Sequence, residues 1–384
     1  MATSFFGRIR NSFFGFFLGL ALVAGAFYLL FWNEGRAVHT EKGLKEGSKV
    51  VASVGSDRVD PSNQGKLVHL SGTLRIDGAL KDAEFGIEAP GVLKLERVVE
   101  MFQWNENSST ETTRSKADGG EEHTTTYSYE KIWSPKLIPS ENFKHPSDHR
   151  NPVTMPYSAS TLTADPVHLD AFRLSSGLLA QLTDTVERTV VQADLDRLPP
   201  TVKAQAKISD GKFYFGNSPG DPQIGDLRIS FQILPASEAS VVAQQDGDSF
   251  RAWKTRQGTT IEMISRGRIG AVDMFEDAIS SNHVMTWVLR VLGLFLMFLG
   301  WHLFFGPIGA MTHIPIIGSM VGAGLILVAF LWASALSLGT IALAWFYYRP
   351  LLAVVLFLGM AVMLGMLFVL LRKNHPNRMA IQSA

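Results

Sequence analysis

Four long apolar runs interrupt an otherwise mixed chain: Phe13–Trp32, Thr286–Phe305, Ile316–Tyr348 and Leu351–Leu371. A run of about 20 apolar residues crosses the hydrocarbon core of a bilayer. The pattern therefore predicts four membrane-spanning helices, with the polar segment 33–285 held as an extramembrane module between the first and second. The third run is the longest. As one helix at 1.5 Å per residue it measures roughly 50 Å, more than the ~30 Å core, so it either tilts or protrudes, or folds back near Ser334–Gly339 to make a fifth span. Each half would be short for a span, which favours one helix.

Within 33–285 the pattern changes from continuous to alternating. Asn33–Gly47 reads as a short polar continuation of the first helix, broken by Gly43 and Gly47. Strand signals follow at Lys49–Val54, Lys66–Ile76, Val92–Trp104, Thr124–Trp133, Val186–Ala193, Lys203–Ile208, Leu227–Leu234 and Ser240–Gln244, where β-branched and aromatic residues lie between turn residues. Val92–Trp104 and Thr124–Trp133 predict one long hairpin with a mobile polar tip, Asn105–His123. Leu169–Leu182 has helical spacing, and Val272–His283 predicts a short helix docking the module before the second span. Six prolines between 135 and 166 mark an extended connector. It suggests two β-rich halves, 33–160 and 161–285. Gly225–Phe231 faintly echoes Gly65–Ser71, which raises an OB-like duplication. The expected organisation is thus 1–32 (tail and first span), 33–285 (module), 286–371 (spans two to four) and 372–384 (basic tail).

Charge sharpens this division. Net charge is zero over the chain, yet seven of the 35 Lys and Arg lie in 1–32 and 286–384, where there is no Asp or Glu. The module therefore holds 28 basic residues against all 35 acids, a net charge of −7. Such a module is a poor partner for nucleic acid. Arg8 and Arg10 before the first span, and Arg372, Lys373 and Arg378 after the last, place both termini in the cytoplasm by the positive-inside rule, with the module in the periplasm or lumen. Arg349 alone opposes this. The first run also carries Ala24-Gly25-Ala26, a signal-cleavage pattern, but apolar sequence continues to Trp32, which favours an uncleaved anchor. The chain has no cysteine. Disulfides, thiolate metal sites and cysteine nucleophiles are excluded.

Candidate chemistry is sparse. No nucleophile elbow, phosphate-binding loop, dinucleotide fingerprint or metalloprotease helix occurs. His145-Pro146-Ser147-Asp148-His149 has two imidazoles and a carboxylate, but the proline excludes a helix that would align them, and zinc needs three or four convergent ligands. Glu96, Glu100 and Glu106 alternate with Lys94 and Arg97 as on a solvent-facing strand. Asn107-Ser108-Ser109 is a glycosylation acceptor if the host glycosylates. The spans are nearly free of ionisable groups. Arg290, near the start of the second, is expected to snorkel to the interface. A coupled transporter normally carries buried acids or bases near the midplane, so the transporter reading weakens. No catalytic, cofactor or metal residue is expected.

Several longer motifs are distinctive: Phe31-Trp32-Asn33-Glu34-Gly35-Arg36-Ala37-Val38, Gly65–Gly72 around His69, Val99-Glu100-Met101-Phe102-Gln103-Trp104, Thr125-Thr126-Tyr127-Ser128-Tyr129, Gly225–Phe231 and Ser240–Gln245. In this order they resemble the transmembrane protein 43 family, also called LUMA, over nearly the whole chain. The resemblance implies four spans and a large lumenal loop. For animal members it implies residence in the endoplasmic reticulum and inner nuclear membrane, where complexes are organised by self-association and partner binding; for bacterial members, the inner membrane. It supplies no catalytic residue. The motif residues Trp32, Asn33, Glu34, Arg36, His69, Glu100, Gln103, Trp104, Tyr127 and Tyr129 are candidates for interaction or for stabilising the fold. Trp32 suits the interface, Glu34 and Arg36 are expected to pair with each other or with the module, and the Val99 and Thr125 motifs are expected to face each other as hairpin strands with aromatic cross-strand pairs.

The sequence thus predicts a four-span helical membrane protein with an inserted β-rich module. Its expected role is a non-enzymatic organiser of membrane complexes, with the bilayer, copies of itself and other membrane proteins as partners. A channel or transport accessory, and a membrane-bound enzyme or ligand sensor, are the rival readings.

Overall fold

The computed structural model of the chain describes residues 5–114, 121–310, 315–351 and 354. They form two compact units, one built from 44–114 and 121–277, the other from the long helices on either side.

In the helical unit, long helices run over Phe5–Val50, Ala271–Ala310 and Pro315–Tyr348. Among the described residues, three stretches are long and apolar enough to cross a membrane: Gly15–Val50, Ala271–Phe305 and Ile326–Tyr348. The chain is an integral membrane protein. The third apolar run is one continuous helix. The fourth, Leu351–Leu371, lies outside the described residues except for 351 and 354, as does the basic tail 372–384. Val23, Ala26 and Leu30 of the first helix meet Met297 and Ala333 in a buried seam. Small residues set how closely it closes. A side chain at Gly19 would put its Cβ 2.6 Å from the Gly300 carbonyl and 2.8 Å from the Phe304 nitrogen. Both obstacles are backbone and cannot rotate away. Gly19→Leu is therefore expected to force the first and second helices apart and to destabilise the bundle by roughly 1–3 kcal/mol, as overpacking does. Gly25→Leu, where nothing lies within 4 Å, serves as the silent control. Unfolding of each variant in detergent checks the contrast.

Two sequence expectations fail at the helix ends for one reason. Gly43 and Gly47 do not break the first helix, which continues to Val50, and Val272–His283 is not a separate helix but the first turns of Ala271–Ala310. Tertiary packing outweighs the roughly 1 kcal/mol helix penalty of a glycine. Gly47 is buried against Ile261 and Phe275, a place where a larger residue does not fit.

The β unit holds two seven-stranded sheets. The first runs Ser249–Arg251, Glu238–Asp246, Leu67–Ile76, Val167–Leu169, Phe172–Arg173, with Ala52–Ser53 and Met263–Arg266 at its sides. The second runs Ala206–Ser209, Lys212–Phe215, Leu227–Pro235, Val92–Arg114, Glu121–Ser134, flanked by Val186–Arg188 and Ser160–Thr163. Each has its own core. Val68, Leu70, Leu74, Phe172, Leu178 and Val241 fill one. Phe85, Leu95, Val99, Met101, Phe213, Ile229 and Phe231 fill the other.

The sheets do not follow a division at residue 160. Leu67–Ile76 pairs with Glu238–Asp246, and Val92–Arg114 with Leu227–Pro235, so each sheet joins strands from both sides of it. The two echoing segments fall in strands of different sheets. Leu169–Leu182 is not one helix. It holds the strand pair Val167–Leu169 and Phe172–Arg173, then a short helix Ser176–Gln181 capped by the Ser175 hydroxyl on the Leu178 N–H. Lys49 and Val50 are helical, leaving Ala52–Ser53 as the strand there.

The helix Gln192–Arg197 shows how a buried charge is held. The Asp194 carboxylate accepts two hydrogen bonds from Arg188, at 2.8 and 3.0 Å, and one from the Val191 N–H at 3.0 Å. Burial opposes its ionisation, but the Arg188 and Val191 bonds outweigh burial and hold its pKa below the usual range. Its folded pKa is lowered, so its stabilisation is complete above the ordinary carboxylate value of ~3.9 and disappears as pH falls through the lower folded value. Asp194→Asn is expected to reduce stability at neutral pH by roughly 1–3 kcal/mol. The difference from the parent should shrink below about pH 4, a window that thermal melts across pH would resolve.

Candidate functional site

The Trp32–Arg36 motif lies where the apolar part of the first helix ends, and it builds a buried polar cluster between helices. Glu34, 2% exposed, accepts from Arg290 Nε at 2.6 Å and from an Arg290 terminal nitrogen at 2.8 Å. Its second oxygen also accepts from the Trp345 indole N–H at 2.8 Å. One carboxylate thus ties together the three long helices of the described residues. The Arg290 guanidinium lies over the Trp287 ring at 4.9 Å and near that of Trp345 at 5.8 Å. Asn33, fully buried, donates to the Thr286 carbonyl at 3.0 Å. Arg36 donates to Asn282 at 2.8 Å, Thr286 at 3.1 Å and Asn33 at 3.2 Å, and Asn282 in turn donates to the Ala37 carbonyl at 3.0 Å. Further along, Arg349 pairs with Glu41 at 2.8 Å. Gly35 sits under the Tyr348 ring, where any Cβ would lie 2.5 Å from Cζ. Trp32 points outward.

Two expectations are corrected here. Arg290 does not snorkel outward; it turns inward to Glu34, because a buried carboxylate compensates its charge better than a partly wet interface. Glu34 and Arg36 do not pair with each other. They are two positions apart on a helix, on different faces, and each meets its own partner on the second helix. Asn282, Thr286, Arg290 and Trp345 were not among the sequence candidates. The signal was available: Asn282, Thr286 and Arg290 are spaced by four and so share one face of the helix.

Of the module candidates, Trp104 and Tyr129 meet on the His149 ring, at centroid distances of 4.7 and 3.6 Å, while His69, Glu100 and Gln103 make separate contacts. His69 bridges strand and chain: Nε2 donates to the Ile269 carbonyl at 2.9 Å, which leaves Nδ1 to accept from Ser53 at 3.3 Å. Glu100 forms a two-point pair with Arg228, at 2.5 and 3.0 Å, beneath the Trp133 ring. Trp133 meets Tyr214, whose hydroxyl donates to Asp226, and burial and this bond raise the Tyr214 pKa. Gln103 is fully buried and caps the turn after the hairpin, donating to the Lys136 carbonyl and accepting from the Ile138 N–H. Trp104 is bracketed by Asn151, which bonds both its backbone groups, with Lys131 over its ring.

The hairpin register differs from expectation. Phe102 faces Trp133, while Tyr129 faces Glu106 and Tyr127 faces Ser108. The Thr125 motif thus lies opposite Glu106–Thr110, and Val99–Met101 instead pairs with Leu227–Ile229. The ladder extends through Arg114 and Glu121, so most of the expected tip is strand; 115–120 lie outside the described residues. Arg97 is not solvent-facing. Strand alternation puts it on the buried face with Leu95 and Val99, where Asp82 and Glu84 neutralise it at 2.8 and 2.5 Å.

His149 stacks on Tyr129 with ring centroids 3.6 Å apart, and the Tyr129 hydroxyl donates to Glu106 at 2.6 Å. Among the described residues, no three His, Asp or Glu side chains converge in a way that could hold a metal ion.

Comparison with known proteins places the chain. A family model described as Transmembrane protein 43 matches residues 101–350. The Homo sapiens protein Transmembrane protein 43 is 35% identical over 366 residues, 92% of this chain and 89% of its own. The Mus musculus protein of that name is 34% identical over 91% and 88%. The Drosophila melanogaster protein Transmembrane protein 43 homolog is 27% identical over 86% and 88%. No solved structure matches. With its membrane helices, its β-rich unit and a relative this similar along almost its whole length, the chain belongs to the transmembrane protein 43 family.

Proposed function

We propose that this protein is a non-enzymatic organiser of membrane complexes that acts through self-association and through contacts made by its β unit. The observation that carries the reading is the Glu34–Arg290–Trp345 cluster. Glu34 accepts three hydrogen bonds, so the acid of this cluster has a fixed ionic partner and is a poor proton relay. Such a cluster suits a rigid platform better than a transport path. Arg349, the charge that opposed the cytoplasmic placement of both termini, is met by Glu41, which removes that objection to an outward-facing module. Family membership supports endomembrane residence in a eukaryotic host and inner-membrane residence in a bacterial one. The test is the mass of the full chain, extracted into native nanodiscs, by light scattering, with mass spectrometry of what accompanies it. A defined oligomer or a reproducible companion is expected; a strictly monomeric, partnerless protein would overturn the proposal.

A further inference from the structure

One sheet of the β unit ends on an open strand edge. Glu121–Ser134 is the last strand of the second sheet and pairs only with Val92–Arg114 among the described residues. Past Trp104 that pair is a two-stranded ribbon, since Leu227–Pro235 reaches no further than Met101 and Ser160–Thr163 no further than Arg97.

The ladder decides which backbone groups face the edge. The Phe102 N–H donates to the Asp226 carbonyl at 2.8 Å, and the Phe102 carbonyl accepts from the Gly225 N–H at 2.9 Å. Both Trp104 backbone groups go to Asn151. These two residues therefore turn their backbone away from Glu121–Ser134. Alternation along an antiparallel strand then assigns the inward bonds to Asn105, Asn107, Ser109 and Glu111, which face Glu130, Ser128, Thr126 and Thr124. The residues between, Thr125, Tyr127 and Tyr129, are left with N–H and C=O directed at the open edge. Among the described residues no backbone group meets them.

Natural sheet edges are guarded by prolines, bulges or charges, above all lysine. Here the register runs unshifted along the strand, and Thr124–Tyr129 holds no proline, no glycine and no charged residue. Threonine and tyrosine also favour strands. An unguarded edge of good strand formers is a template for one more strand.

The pattern of the edge itself selects the occupant. Only outward-facing residues can exchange backbone bonds, so an antiparallel mate must set one of them against another. A second copy, related by a two-fold axis at Tyr127, does this. Tyr127 then faces its own counterpart, Thr125 faces Tyr129, Thr126 faces Ser128 and Thr124 faces Glu130. Aromatic and β-branched residues lie across from one another, and no two like charges are opposed. We propose that two copies of this chain join by the Thr124–Glu130 edge, merging their sheets into one. This surface rests on the self-association proposed above and gives it a location. A two-fold contact of this kind closes on itself, so its product is a dimer.

The chain has no cysteine, so single introduced cysteines report the register. Bonded partners on antiparallel strands lie about 5.5 Å apart at Cα, within disulfide reach. Thr125 and its own counterpart would be four positions out of register, roughly 14 Å apart. The full chain in mild detergent is oxidised with copper phenanthroline and run on non-reducing gels, and the mass of the unoxidised protein is read by light scattering. Tyr127→Cys is expected to give a covalent dimer and Thr125→Cys none, while an equal mixture of Thr125→Cys and Tyr129→Cys gives one. Tyr127→Pro removes an edge N–H that the ladder to Val92–Arg114 does not use. The fold, followed by circular dichroism, should therefore persist while dimerisation weakens by at least about tenfold, from one hydrogen bond lost in each copy. A chain that associates without cross-linking through Tyr127→Cys, or whose association survives Tyr127→Pro undiminished, overturns this surface and leaves self-association standing. Cross-linking of Thr125→Cys to itself puts the axis elsewhere and overturns the proposal. An unmodified chain that is strictly monomeric overturns both readings.

Discussion

Glu34→Ala is expected to lower the stability of the helical unit by roughly 3–5 kcal/mol, the range for removing one partner of a buried ion pair. The arithmetic follows from what is left behind. Arg290 is 16% exposed in its side chain and loses both charge-assisted hydrogen bonds at once. The Trp345 indole N–H loses its acceptor too. Beside an apolar seam, neither group finds water without opening the bundle. The effect should depend on the pairing rather than on the carboxylate as such. Replacing both residues, Glu34→Gln with Arg290→Gln, is therefore expected to cost less than the sum of the two single changes, with a coupling of at least about 1 kcal/mol. Unfolding in mixed detergent micelles, followed by circular dichroism, measures Glu34→Ala and the four proteins of the cycle. Additive losses would show that Glu34 and Arg290 do not stabilise one another.

Phe85→Ala should be comparably damaging to the β unit, at roughly 3–5 kcal/mol for a buried aromatic truncated to alanine. Phe85 is fully buried and lies in a ring cluster with Tyr157, Phe213, Phe215 and Phe231, at centroid distances from 5.1 to 6.3 Å. The Arg97 guanidinium also rests over its ring at 5.0 Å. The truncation thus leaves a cavity and uncovers one face of a buried cation whose remaining partners are Asp82, Glu84 and the Ser158 carbonyl. Phe85→Leu, which keeps much of the volume, should cost distinctly less. A denaturant titration comparing the two decides it. Equal losses would point to the aromatic contact with Arg97, rather than to packing volume, as the larger contribution.

How far the site was legible from sequence varies by residue. Trp32, Asn33, Glu34 and Arg36 stood out as one distinctive motif at the end of an apolar run. Their partners did not stand out, since Thr286 and Trp345 look ordinary at the end of a span and Arg290 looks like a snorkelling cation. The four-residue spacing of Asn282, Thr286 and Arg290 was the missed cue. On the β side, Gln103 and Glu100 were candidates as motif residues; they brace a turn and a strand pair and do not form a common site.

Apolar run length by itself determined that this chain crosses a membrane, because the bilayer thickness is a fixed ruler against which about 20 residues can be counted. Alternation determined that the intervening region is β-rich, because period two has only one structural meaning. Strand pairing was decided only in three dimensions. Leu67–Ile76 meets Glu238–Asp246, and Val92–Arg114 meets Leu227–Pro235, each across more than 120 residues. Local pattern carries no information about which distant edge a strand will join. The same holds for Glu34 and Arg290, 256 positions apart, whose charges find each other only because two helices pack face to face.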